Sequence, residues 1–135
     1  HTRFRNVTGV QTCALPISGI AVSHAQWGIA APGTAYYTQA GVALSSAAGT
    51  AANLKNIAIQ QFIAAYPDGM RGWNIWRRTG FPVLTPAPDA VNSTRQIPRR
   101  YTYGTTSYAT NTTAVTAAAA AIGGDTQDTK VWWDQ

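Results

Sequence analysis

The groups able to carry acid–base chemistry in this chain are few and of one kind. All five acidic residues are aspartates (Asp68, Asp89, Asp125, Asp128 and Asp134), and there is no glutamate. A glycan-cleaving site needs two carboxylates roughly 5 to 10 Å apart in one cleft, and these aspartates lie in loop sequence, which argues against hydrolysis. Asp125 and Asp128 in GGDTQDT offer two oxygen ligands for calcium, but the loop lacks the further acids and the closing glutamate of an EF-hand, so a capped turn is expected. The only histidines are His1 and His24 and the only cysteine is Cys13, which excludes an internal disulfide and leaves no metal-ligand spacing. No motif such as GxSxG surrounds any serine, so His24 reads as a polar residue on a helix rather than a triad base. No catalytic residue, metal or cofactor is assigned.

The other chemistry-bearing residues are aromatic. Five tryptophans and six tyrosines raise the possibility of sugar stacking, because a flat apolar ring matches the C–H face of a pyranose. Trp73 and Trp76, at i and i+3 beside Arg77, are expected instead to pack on the helix before them. Trp132 and Trp133 are expected to anchor the tail onto the body, since free termini otherwise fray. Tyr36 and Tyr37 are the better ligand candidates.

The elements that must position these residues are mainly helical. The clearest helix is predicted over 50–66: Leu54, Ile57, Ala58, Gln61, Phe62 and Ala65 share one face, Ile59 and Ile63 form a second apolar flank, and a narrow polar stripe remains at Asn53, Asn56 and Gln60. So little polar surface predicts a helix buried on most sides, ended by the Pro67-Asp68-Gly69 turn. A second helix is predicted over 72–78, its arginines at the negative end of the helix dipole and Thr79-Gly80 at its end. Prolines 82, 86 and 88 make 81–97 an extended loop. Residues 98–108 read as either a short strand or a polyproline-like wrap. Asn111 reads as the N-cap of a third helix carrying Val115, Ala118, Ala119 and Ile122, closed by Gly123-Gly124 where positive φ is needed. Residues 19–33 read as a short helix or irregular segment ending in a turn, and 35–46 as undetermined.

Composition sets the outer limits. At 135 residues there is room for one domain, yet only 11% of residues are charged, against roughly 25% in soluble domains, which suggests contact with something other than water. The +5 charge is spread over separate arginines rather than gathered into a nucleic-acid stripe. No run reaches the ~18 to 20 apolar residues of a membrane span. Residues 7–18, VTGVQTCALPIS, resemble the in-frame translation of a sequencing-library adapter. Residues 1–18 are therefore expected to be non-native, with the native chain starting near Gly19 and any export signal upstream. Without Arg3 and Arg5 the charge falls from +5 to +3.

Three stretches carry a family resemblance: NIAIQQFIAAYPDGMRGWNIWRRTGFPVL from Asn56, IPRRYTYGTTSY from Ile97 and IGGDTQDTKVWWDQ from Ile122. In order and spacing they resemble the C-terminal signature of SusD/RagB-like proteins, carried here by Trp73, Trp76, Arg77, Arg78, Gly80, Pro98, Arg99, Arg100, Gly123, Gly124, Asp125, Trp132 and Trp133, which are read as structural. Ile75 stands where the family often has a polar residue, which argues against a ligand role for that helix. The resemblance implies that 19–135 is the C-terminal part of a longer, TPR-containing helical protein with long irregular loops. It implies a lipid anchor in a preceding part and a place on the cell-surface face of a bacterial outer membrane. It further implies partnership with a SusC-like TonB-dependent transporter and capture of oligosaccharide, or in some relatives peptide, without chemistry.

Overall fold

The computed structural model describes residues 9–92 and 94–134, with backbone only for 9–15 and Ser46. The calls on residues 1–8 and on the Cys13 side chain therefore lie outside the described residues. The described chain is helical, with no strand: α1 Gly9–Gln26, α2 Thr34–Tyr37, a 3₁₀ turn Ser46–Ala48, α3 Gly49–Ala64, α4 Gly69–Thr79 and α5 Thr105–Ala121. It divides into two compact units, 1–82 and 83–135, each held by its own interactions.

In the first unit α3 forms as its sequence predicts, ending two residues early, and α4 packs against it. Asp68 does more than stop α3. Its carboxylate accepts a hydrogen bond from the Arg71 N–H at 3.0 Å, which makes it the N-cap of α4 and starts that helix at Gly69 rather than Gly72. The buried seam of α4 runs through Gly72, Ile75 and Trp76. At Gly72 an added Cβ would lie 3.4 Å from the Phe62 ring, so this is where α4 comes against the α3 side chains. Trp76 thus packs inward as expected, while Trp73 is half-buried beside it. The C-cap is Gly80 in the left-handed region (φ 72°), its N–H bonded to the Trp76 carbonyl at 2.7 Å.

The polar stripe of α3 departs from expectation. Rather than facing water, Asn53, Asn56 and Gln60 bind the segment that runs before the helix. Asn53 exchanges bonds with the Ser45 backbone at 3.1 and 2.9 Å. Asn56 donates through Nδ2 to the Ala40 and Ala43 carbonyls at 3.0 and 2.7 Å, and Gln60 accepts from the Tyr36 hydroxyl at 2.8 Å. It is the apolar flank that is open: Leu54 and Ile63 are each 58% exposed, and on α3 only Ala58 is buried. The burial predicted for this helix on most sides is therefore absent within this chain. α1 is a continuous helix across residue 18, with Pro16 inside it, and ends in a turn at Trp27-Gly28.

In the second unit the described residues of 83–104 carry no helix or strand, in keeping with the prolines. The strand alternative for 98–108 is not realised, because the fifth helix begins at Thr105, six residues before the predicted N-cap. Asn111 (φ −148°, ψ 54°) is non-helical and divides this element in two, so the helix carrying Val115, Ala118 and Ala119 starts after Asn111 as expected, with a further helical stretch before it. The closure is as predicted: Gly123 and Gly124 have φ of 85° and 122°, and the Gly124 N–H returns to the Ala119 carbonyl at 2.8 Å.

With Leu54, Ile63, Val22 and Tyr66 all more than half exposed, the 135-residue chain alone is expected to self-associate at micromolar concentration and to melt without a sharp transition. A sharp, concentration-independent calorimetric transition would count against this.

Candidate functional site

Two groups of residues have organised chemistry, one in each unit. In the first unit a cavity of about 420 Å³ lies among α1, α2, α3 and the segment between α2 and α3. Its polar lining includes His24, Tyr36, Asn56 and Gln60, with Ile20, Leu44, Ile57 and Ile63 among the apolar walls. Tyr36 is half-buried, fixed by its bond to Gln60 and by edge-to-face contacts with His24 (6.4 Å between centroids) and Tyr37 (5.9 Å). The structure thus places one of the two ligand candidates, Tyr36, on the cavity wall. Tyr37 stands beside it, supporting the ring rather than lining the space. His24 is on a helix as expected, its Nδ1 3.0 Å from the Ile20 carbonyl one turn back. At the far end of the same unit Trp27 and Tyr66, neither of which sequence reasoning singled out, face each other at 6.1 Å and are 56% and 74% exposed. Their approach depends on where α1 and α3 end, and no local signal reveals that.

Arg77 falls with Arg78 in the last turn of α4, at the negative end of the helix dipole as expected. Its guanidinium lies 3.6 Å from the centroid of the Trp73 ring and donates to Asn74 Oδ1 at 2.5 Å, and the residue is 7% exposed. A buried guanidinium stacked on an indole is a strong cation–π contact, so Trp73 and Arg77 act as one structural unit. Arg78 is exposed.

In the second unit the arginines and aspartates of the signature meet. Asp125 accepts from Arg100 Nη1 at 2.5 Å, from the Tyr103 N–H at 3.1 and 3.2 Å, and from the Tyr108 hydroxyl at 2.9 Å. Burial alone would raise its carboxyl pKa, but the hydrogen bonds from Arg100, Tyr103 and Tyr108 and the Arg100 charge outweigh it, holding the carboxyl below the usual range. The same bond raises the Tyr108 hydroxyl above its ordinary value, because ionised Tyr108 would face the Asp125 carboxylate. Arg99 pairs with Asp134, whose side chain is fully buried, and the N–H groups of Arg99 and Arg100 both reach the Gln127 carbonyl. Asp128 accepts from Asn92 at 2.7 Å. The two aspartates of GGDTQDT therefore serve different partners, and among the described residues no cluster of three or more His, Cys or acidic side chains could hold a metal.

Of the two tryptophans expected to anchor the tail, Trp132 does not. Trp132 is 92% exposed and Trp133 half-buried; the buried anchor is Asp134, drawn in by Arg99. Pro98, just ahead of the paired arginines, is exposed.

Comparison with known proteins accords with this arrangement. A family model described as "SusD and RagB outer membrane lipoprotein" matches residues 29–134, and the chain belongs to that SusD-like family. Among solved structures, it is similar to a chitin-binding SusD homolog from Flavobacterium johnsoniae (28% identity, TM-score 0.73), the match covering 96% of this chain and 32% of that one. It is also similar to a SusD homolog from Bacteroides thetaiotaomicron (26% identity, TM-score 0.73), covering 96% and 34%. A Bacteroidetes SusD-like structure at 19% identity shares the fold, with a TM-score of 0.78 over 95% of this chain and 26% of its own. The chain thus spans about a third of the length of these solved relatives. No curated protein matches significantly.

Two expectations follow. Because the Asp125 carboxyl titrates lower when folded than its unfolded value of about 3.9, its contribution to stability is complete above that value and is lost as pH falls through the lower folded value. Asp125→Asn should therefore show a shallower fall of Tm between about pH 5 and pH 2 than the parent protein, and parallel curves would contradict this. Asp134→Ala, which breaks a buried pair, should cost about 3 kcal/mol in urea denaturation, whereas Trp132→Ala should stay within about 0.5 kcal/mol.

Proposed function

We propose that this chain is the C-terminal part of a lipid-anchored protein on the cell-surface face of the bacterial outer membrane. In this reading the protein captures oligosaccharide for a SusC-like TonB-dependent transporter and performs no chemistry on it. Family membership carries the proposal, with support from a relative described as chitin-binding. The commitment of the acids supports the non-enzymatic reading. Asp68 caps a helix, Asp125 and Asp134 are bound by arginines, and Asp128 is bound by Asn92, so four of the five carboxylates already have structural partners. In the same reading residues 19–135 are the native part and 1–18 are adapter-derived, in keeping with a family match that begins only at residue 29.

Extending the gene upstream of Gly19 tests both halves. The native sequence should replace VTGVQTCALPIS with different residues, and it should supply an anchor signal. Calorimetric titration of the intact protein with plant, host and microbial oligosaccharides, chitin fragments among them, should then give saturable binding without turnover. Binding of control peptides alone would move the protein to a peptide-capturing role, and release of product would overturn the non-enzymatic reading.

A further inference from the structure

The polar lining of the first unit's cavity includes Ser23, Gln61 and Arg71 besides His24, Tyr36, Asn56 and Gln60, and for these last four the bonds they make define what they can still offer. Gln60 uses Oε1 to accept from the Tyr36 hydroxyl, which leaves its two Nε2 hydrogens as donors without a partner among the described residues. Asn56 spends both Nδ2 hydrogens on the Ala40 and Ala43 carbonyls, which leaves Oδ1 as an acceptor. His24 sets Nδ1 against the Ile20 carbonyl at 3.0 Å. A carbonyl can only accept, so Nδ1 carries the proton, and in the neutral ring Nε2 is an acceptor. The Tyr36 oxygen, having donated, keeps acceptor capacity as well.

Donor and acceptor atoms thus both occur among walls of Ile20, Leu44, Ile57 and Ile63. This pattern selects among ligand classes. A hydrocarbon would leave the Gln60 Nε2 donors and the Asn56 Oδ1 acceptor desolvated and unpaired, at a cost, and Arg71, which also lines the cavity, adds a cationic donor. Hydroxyl groups, each both donor and acceptor, satisfy such a lining, and the apolar walls suit the C–H faces of a ring. The volume of about 420 Å³ falls within the range of small-molecule sites, roughly 300 to 1,000 Å³.

We infer that this cavity is a subsite for one pyranose unit, with Gln60, Asn56 and His24 reading its hydroxyls and Tyr36 closing one side. The inference rests on the proposed glycan-capture role and gives it a location on this chain. It does not depend on Pro16, the one lining residue within the adapter-like stretch, because every group it uses lies between Ile20 and Ile63.

The test uses the intact protein, its gene extended upstream of Gly19, titrated with glucose, galactose, N-acetylglucosamine, their β-linked dimers and glucuronic acid. The variants are Gln60→Leu and the double variant Tyr36→Phe with Gln60→Leu. The double variant removes both partners of one hydrogen bond and so strands neither. With Tm unchanged in the double variant, binding of at least one of these sugars should weaken tenfold or more. If the parent binds any of them and the double variant binds them equally well, the subsite is elsewhere and this inference fails while glycan capture stands. If the parent binds no saccharide, both fail.

Discussion

The first unit depends on a row of amide side chains along one helix. Asn53, Asn56 and Gln60 stand one above another on α3 at spacings of three and four residues, so they face the same direction. Each takes hold of the segment running from Tyr36 to Ser45, at its end, its middle and its beginning respectively. That segment contains only one turn of helix, Thr34–Tyr37, and Gly41 denies it much propensity of its own. The side-chain amides supply the hydrogen bonds that regular structure would otherwise provide. They also hold the segment as one wall of the cavity, so the proposed sugar subsite and the fold share the same residues.

The second unit solves a similar problem with charge. Residues 83–104 are rich in proline and have no backbone ladder. Their register against the segment after α5 is set by paired arginines reaching Asp125 and Asp134 and by two backbone bonds to Gln127. Asp125 gathers four bonds from three residues, including a backbone N–H and a tyrosine hydroxyl. Removing either charge from such a pair would leave the other buried without compensation, which costs far more than the pair contributes net. The signature residues of the SusD-like family in this unit are therefore fasteners for irregular chain, and the same holds for Arg77 on Trp73 in the first.

Several features were legible in advance because they are local. The helix at 49–64, the break at Pro67, the proline-rich loop and the positive-φ glycines after α5 each follow from spacing or from a single residue's backbone preference. The N-terminus of α5 was not legible. Thr105 to Thr110 contains β-branched and aromatic residues with weak helix propensity, and the segment is helical in spite of them, with Asn111 absorbing the mismatch as a kink. On α4, Trp76 is buried as its spacing from Trp73 suggests, while Trp73 is half-buried and carries Arg77, a contact with no periodic signal.

What the sequence by itself determined was the helical class, the approximate span of the central helix and the family, since these depend on periodicity, on turn residues and on the order of short motifs. Only the tertiary structure decided which way the polar groups face. A helical stripe of asparagine and glutamine reads as solvent-exposed until another segment is seen bonded to it, and an aspartate near a chain end reads as exposed until an arginine 35 positions away is found beside it. Hydrogen bonds and ion pairs between distant residues leave no periodic trace in a sequence. The cavity at Tyr36 and the buried anchor at Asp134 became visible only once the chain was folded.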